Sequence, residues 1–279
     1  MRAHQSTSFA GIIGWPLEHT LSPVIHNAAF RNMGIDWIYL AWPVAPEVLA
    51  PAVGGLRALG AIGVNVTMPH KEAVIAHLDE VSGDARTVGA VNTIQLLGDK
   101  FIGHNTDVDG FRQFLVDDAG VDLSGRRSLV LGAGGAARAV VKALDDLGAG
   151  EITVAARRPE RGANLLELAT RGPATVVAWK EAETRAGEFD VVINATPVGT
   201  GSGDPLPGTN FHPGQIVIDL IYDPPTTALV EKAKAQGAEA WGGLGMLVHQ
   251  AAASFRIWTG QEAPIEIMSA AALHAVLKR

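Results

Sequence analysis

Short apolar runs alternate along this chain with longer stretches whose apolar positions recur at helical spacing. "AGIIGW" (10–15) reads as a buried strand. "SPVIHNAAFRNMG" (22–34) reads as a helix, with Ser22 placed to cap it, Pro23 in its first turn and Gly34 at its stop. "DWIYLAWPV" (36–44) predicts a strand and "PEVLAPAVGGLRALG" (46–60) a helix. "AIGVNVT" (61–67) is the next strand, and "PHKEAVIAHLD" (69–79) predicts a helix opened by Pro69. "AVNTIQLLGDKFIGHNTD" (90–107) has the pattern of a hairpin turning at Gly98-Asp99.

A second series begins near residue 107. "DVDGFRQFLVDDAG" (107–120) predicts a helix. Residues 127–158 give a strand, a glycine turn, a helix and another strand. Strands follow in 189–199 and 215–225, with a helix over 226–237. Two apolar helices, 243–260 and 265–278, come last without a partner strand. Alternation of this kind predicts an α/β protein with mostly parallel sheets. It divides into a first domain (1–106 plus 243–279) and a second (107–242), with the last helices, which lack a partner strand, expected to return to the first domain.

Composition narrows the chemistry. The chain has 279 residues, 47% hydrophobic and 18% charged, as expected of globular domains with ample cores. Its formal net charge is −7 and it has no basic run, which argues against nucleic acid as a partner. It has no cysteine, so disulfides and thiolate chemistry are excluded. Its nine histidines form no HExxH or HxxxH pair, so no metal is expected. No long apolar span or signal-peptide core is present, which reads as a soluble cytoplasmic protein with no membrane partner.

"VLGAGGAAR" (130–138) matches G-x-G-x-x-A through Gly132, Gly134 and Ala137, between a strand and a helix. Glycines there let the backbone approach a pyrophosphate at the helix N-terminus. The next strand ends in "AARRPER", where a site for NAD would offer a carboxylate. Arg157, Arg158 and Arg161 instead suit the 2′-phosphate of NADP, unless they form a solvated cluster on a loop.

Polar clusters sit at the other strand ends: "EHTLSP" (18–23), "NVTMPHK" (65–71), "GAVNT" (89–93), "GHNTD" (103–107), "NATPVG" (194–199) and "YDP" (222–224). Ligands of open α/β sheets bind at such ends. Thr67, Asn92, Asn105, Thr106 and Asp107 suit a polyhydroxylated substrate, although residues of these types also serve as turn and cap residues. Lys71 and Asp107 are the best chemical pair, because reduction of a carbonyl needs a proton as well as a hydride. The predicted helix puts Lys71 in its first turn, where the dipole disfavours a cation by only about 0.3–1 kcal/mol. That is too little to free its proton, so Lys71 is read as half of a coupled pair with Asp107. The competing reading is a solvated lysine on an amphipathic helix.

With "GWPLEHTLSPVIHN", "NVTMPHKE", "GAVNT", "GHNTD", "GAGGAAR", "NATPVG", "DLIYDP" and "GLGMLVHQA" in order, nearly the whole chain resembles the shikimate dehydrogenase family. The resemblance implies a Rossmann-type domain joined to a substrate domain. It also implies NADP-dependent, reversible reduction of 3-dehydroshikimate to shikimate, on the route to chorismate and the aromatic amino acids. It would make Lys71 and Asp107 catalytic. Thr20, Ser22 and Tyr222 would hold the substrate carboxylate, and Thr67, Asn92 and Gln250 the ring hydroxyls. Gly132, Ala133, Gly134, Gly135 and Ala136 would wrap the pyrophosphate, with Thr196 also on the cofactor side and Gly243 near the nicotinamide. Members of the family are monomers or homodimers.

Two departures stand out. The family commonly has serine at the position of Thr20, and Asn-Arg-Thr where this chain has Ala156-Arg157-Arg158. A quinate/shikimate dehydrogenase using NAD or both cofactors is therefore the alternative. A non-catalytic ligand-binding relative is a further one, disfavoured because the lysine and aspartate are both present.

Overall fold

The computed structural model describes residues 7–279. The expectation about a signal-peptide core falls partly on residues 1–6, which lie outside the described residues. The chain folds into two compact units: one runs through Gly110 and resumes at Val248–Arg279, and the other is Phe111–Leu247.

The first unit contains β1 (Ser8–Gly14), α1 (Ser22–Asn32), β2 (Trp37–Pro43), α2 (Leu49–Ala58), β3 (Gly63–Val66), β4 (Glu80–Val81), α3 (Gly83–Val88), β5 (Thr93–Leu97) and β6 (Lys100–His104). α4 (Asp107–Gln113) then leads into the second unit. The sheet order is β2-β1-β3-β5-β6-β4. β5 runs antiparallel to both neighbours, so this sheet is mixed. The hairpin turns at Gly98-Asp99 as its pattern predicts. Pro43 falls on the edge strand β2, where a missing N–H costs no ladder bond on the outer side. Apolar side chains of β1 and β3, among them Ile13, Val64 and Val66, pack with Val53 and Leu56 of α2 and Phe101 of β6.

The second unit contains β7 (Arg127–Leu131), α5 (Gly135–Asp146), β8 (Glu151–Ala156), α6 (Pro159–Leu166), β9 (Ala174–Ala178), α7 (Trp179–Arg185), β10 (Val191–Asn194), β11 (Ile216–Asp219), α8 (Ala228–Ala235) and β12 (Glu239–Trp241). Its strands are all parallel, in the order β12-β11-β10-β7-β8-β9. Read from the other edge, that is the doubly wound order of a dinucleotide-binding fold, with β7 first and the switch point between β7 and β10. The strands carry near-continuous apolar runs because both faces are covered. α9 (Leu244–Thr259) begins in this unit and ends in the first, where α10 (Ile265–Leu277) packs on α1. Among the described residues no helix is long and apolar enough to cross a membrane.

Three local expectations change. No α-helix starts at Pro69; residues 68–72 form turns, and a 3₁₀ turn covers Ala73–His77. The carbonyls a helix would need are already taken: Met68 O accepts from Trp15 N–H at 3.0 Å and Lys71 O from Val91 N–H at 2.8 Å. Lys71 therefore meets no helix dipole. Ser22 is not a cap: Leu21 holds the N-cap position, with no side-chain cap bond. Instead Thr20 Oγ1 accepts the Ser22 N–H at 3.3 Å. The helix predicted over 107–120 keeps α geometry only to Gln113, and Phe114–Asp118 continue as a π turn.

Candidate active site

The loop after β3 delivers Lys71 to the first residue of α4. Lys71 Nζ lies 2.6 Å from Asp107 Oδ2, with side-chain exposures of 17% and 7%. The other carboxylate oxygen, Oδ1, accepts from Asn92 Nδ2 at 2.9 Å. Asn92 comes from the segment that opens β5. Its Oδ1 accepts the Thr106 N–H at 2.7 Å, which orients the amide nitrogen toward Asp107. The solvated-lysine reading does not hold: Lys71 is drawn into a largely buried ion pair.

Asn105 serves as the helix cap. Its Oδ1 accepts the N–H groups of Asp107 and Val108 at 3.0 and 3.3 Å, and its Nδ2 donates to Ala90 O. This bond set fixes where α4 starts and so where Asp107 points. Gln250 lies on α9 where that helix crosses α4: a Cβ added at Gly110 would stand 2.6 Å from Gln250 Cβ. Thr67 follows β3, half-buried, its methyl against Gly14. Ser22 is buried and Thr20 half-buried at the start of α1.

Tyr39, Asn65, Thr93 and Ser254 belong to the same neighbourhood; Asn65 and Thr93 stand in the polar stretches 65–71 and 89–93 without an assigned role, and Tyr39 and Ser254 lie outside every motif. Tyr39 Oη donates to Asn65 Oδ1 at 2.6 Å. Asn65 Nδ2 reaches Thr93 Oγ1 and Ser254 Oγ at 3.1 and 3.0 Å. The available signal is Asn65 itself, an amide inside the otherwise apolar "GVNV", since a buried amide needs partners. His26 stacks on Tyr39 with ring centroids 4.4 Å apart. Burial pushes its imidazole down to about 3, and neither ring nitrogen finds a hydrogen-bond partner among the described residues.

In the second unit, Gly132 closes β7 at φ +115, and a Cβ there would meet Thr196 Cγ2 at 2.9 Å and Ala195 O at 3.0 Å. Only glycine combines that conformation with that approach. Thr196 is itself pinned: its N–H and Oγ1 both donate to Asn194 Oδ1, at 3.1 and 2.7 Å. Asn194 Nδ2 donates to Asp219 Oδ1 at 2.9 Å. Burial pushes the Asp219 carboxyl up, opposed by hydrogen bonds from Thr227, Ile221 N–H and Asn194. Gly134 is the N-cap of α5 and offers no side-chain cap, leaving the first-turn N–H groups to an anion. Ala133, Gly135 and Ala136 are half-buried around it.

Arg157, Arg158 and Arg161 are exposed after β8, and none is in an ion pair among the described residues. This donor set fits a dinucleotide carrying an extra phosphate. Tyr222 follows β11 in this unit, half-buried. Gly243 is buried against Leu220, whose carbonyl oxygen would lie 2.0 Å from an added Cβ. Among the described residues no group of three His, Cys, Asp or Glu side chains could hold a metal ion.

A doubly wound sheet with this glycine turn, in one chain with a buried Lys–Asp pair set among amides and hydroxyls, defines the class of two-domain, nicotinamide-dependent oxidoreductases. Comparison with known proteins narrows it. Residues 12–94 match the shikimate dehydrogenase substrate binding domain, 115–200 the shikimate / quinate 5-dehydrogenase family and 243–273 the shikimate 5'-dehydrogenase C-terminal domain. The NADP(+) shikimate dehydrogenase of Methanopyrus kandleri is 44% identical, over 96% of this chain and 95% of its own. The structure of shikimate 5-dehydrogenase from Thermus thermophilus with NADP(H) and shikimate superposes with a TM-score of 0.86 at 38% identity, covering 96% of this chain and 99% of its own. A 5-ketofructose reductase from Gluconobacter also superposes, with a TM-score of 0.83 at 32% identity over 98% of this chain and 100% of its own. The chain belongs to the shikimate dehydrogenase family.

Proposed function

We infer that this protein is an NADP-dependent shikimate dehydrogenase, which interconverts 3-dehydroshikimate and shikimate. The observation that carries the mechanism is the Lys71–Asp107 pair at 2.6 Å, braced by Asn92 on the far carboxylate oxygen. When bound, NADPH supplies the hydride that converts the ring ketone carbon to an alcohol carbon. The chain's own residues supply the rest. An ammonium has three N–H donors, and Asp107 takes one from Lys71. A second is available to the substrate oxygen, where it polarises the ketone and donates the proton as the alkoxide forms. Asp107 holds the lysine in place and shares the proton with it. In the reverse direction the pair takes the hydroxyl proton.

Thr20, Ser22 and Tyr222 are the residues we assign to the substrate carboxylate, and Thr67, Asn92 and Gln250 to its hydroxyls. Asn92 already gives its amide N–H groups to Thr106 Oγ1 and Asp107 Oδ1, so its part is to orient the carboxylate that the substrate meets. Gly132 through Ala136 with Thr196 would hold the pyrophosphate, and Gly243 would lie by the nicotinamide. The three arginines give the 2′-phosphate its charge partners, which favours NADP over NAD although Ala156 offers no amide.

Initial rates with shikimate and with quinate, each with NADP+ and NAD+, test this reading. Shikimate with NADP+ should exceed every other combination by at least about tenfold. Quinate with NAD+ at or above that rate, or 5-ketofructose reduced by NADPH with no turnover of shikimate, would reassign the substrate. In the same assay Lys71→Ala should lower kcat by about 10²–10⁴ with little change in KM. An unchanged kcat removes Lys71 from the chemistry.

A further inference from the structure

The hydrogen bonds around Asp107 do not stop at Asn92. Tyr39, Asn65, Thr93, Thr106, Asn92 and Ser254 form one buried cluster, none of them more than 4% exposed. Its direction can be worked out from backbone groups that have no choice of role. Asn92 O can only accept, so Asn65 turns its Nδ2 toward it at 3.2 Å and receives Tyr39 Oη–H on Oδ1. Gln250 O can only accept, so Ser254 gives its proton there at 3.0 Å. Ser254 Oγ then accepts from Asn65 Nδ2 and lies 2.8 Å from Thr93 Oγ1, whose single proton is shared between Ser254 Oγ and Asn92 Oδ1, 3.1 Å away. Thr106 Oγ1, 3.2 Å from both Ser254 and Thr93, receives Asn92 Nδ2 at 2.9 Å. The chain of bonds ends at the Asp107 carboxylate.

Burying an amide in strand β3 is costly unless its partners are in place. An apolar residue would serve the core as well there. What the amide adds is a fixed connection between three elements: β3, the start of β5 and helix α9. We propose that Asn65 and Ser254 are positioning residues for the reaction, locking α9 and its Gln250 in register with Asn92 and Asp107. This rests on the reading of Lys71, Asp107 and Gln250 as the groups that meet substrate. Neither positioning residue is hydrogen-bonded to Lys71 or Asp107.

Ser254→Ala removes the hub and Ser254→Thr restores its hydroxyl. Ser254→Ala should lower kcat for shikimate by at least about tenfold, with KM for NADP+ and the thermal midpoint near the parent values; Ser254→Thr should recover most of the loss. A kcat and shikimate KM both within about twofold of the parent overturn the proposal, as does an equal loss in Ser254→Thr. Hydrogen exchange gives a readout independent of turnover. In Ser254→Ala, peptides covering 244–259 and 105–113 should exchange faster together. If the parent itself does not turn over shikimate, the functional reading fails. The positioning role then stands on the exchange result, and unchanged exchange overturns it. Asn65→Ala should repeat the Ser254→Ala pattern where it folds.

Discussion

His26 is fully buried on α1. It is enclosed by Tyr39, Phe30 and Trp258. Its ring stays neutral in the folded chain down to about 3, while the unfolded chain takes up the proton near the ordinary value of 6.5. The unfolded state binds more protons between those values, so this contribution to stability is complete above pH 6.5 and declines as the pH falls toward 3. Urea melts across that range should show the decline, and His26→Phe should flatten it. An unchanged slope in the variant would mean that other groups carry the pH dependence. In sequence, His26 is hidden inside a helical pattern. Lys71 and Asp107 stand out there because a lysine and an aspartate near strand ends have a chemical use, but their distance was not legible, since it depends on Trp15 and Val91 taking the carbonyls of the loop. Asn65 and Ser254 look like minor polar interruptions in sequence, and only the packing of three elements reveals their partners.

At the scale of elements, long periodic segments were legible and short ones were not. β7, α5 and β8 declare themselves through apolar runs and a glycine turn. β4, α3, α6, β9, α7 and β12 give no such signal because they are short or have half-exposed polar sequences, and only pairing in the sheet defines such strands. The stretch 69–79 has helical spacing, but tertiary hydrogen bonds outweigh local propensity. The start of α9 gives a sharp test of packing. At Gly243 an added Cβ would meet the Leu220 carbonyl oxygen at 2.0 Å and its carbon at 2.4 Å, and backbone cannot step aside as a side chain can. Gly243→Ala should cost about 2 kcal/mol or more in denaturant melts, from overpacking. Gly134→Ala, with nothing within 4 Å of its added Cβ, should leave the fold's stability almost unchanged and serves as the control. Equal midpoints for the two variants would show that the α9 start yields.

For the whole molecule, the sequence pattern expects 243–279 to return to the first domain, and the first compact unit resumes at Val248–Arg279. Pattern supplies only the absence of a partner strand; the physical reason is burial. Phe255, Trp258, Met268 and Ala272 are all buried, and Trp258 Nε1 donates to Ile94 O in β5. The unit therefore cannot close without residues from the far end of the chain. Native-state hydrogen exchange should show peptides from 8–110 and 248–279 losing protection at one common free energy, separate from peptides of 111–247. Saturating NADP+ should slow exchange most in the second set. Joint behaviour of α10 with the 111–247 peptides would contradict this division.

That discontinuity sets an order in time. On the ribosome, the strands of the first unit emerge early, yet the helix segments that cover them follow only after the whole of Phe111–Leu247 has been made. At ordinary elongation rates the wait is about 7–30 s. During it Phe30 and Tyr39 lack the Phe255 and Trp258 rings that later pack on them. The cofactor-type unit, continuous in sequence, can finish first. The unit that begins first is completed last, with its apolar face uncovered in the interval.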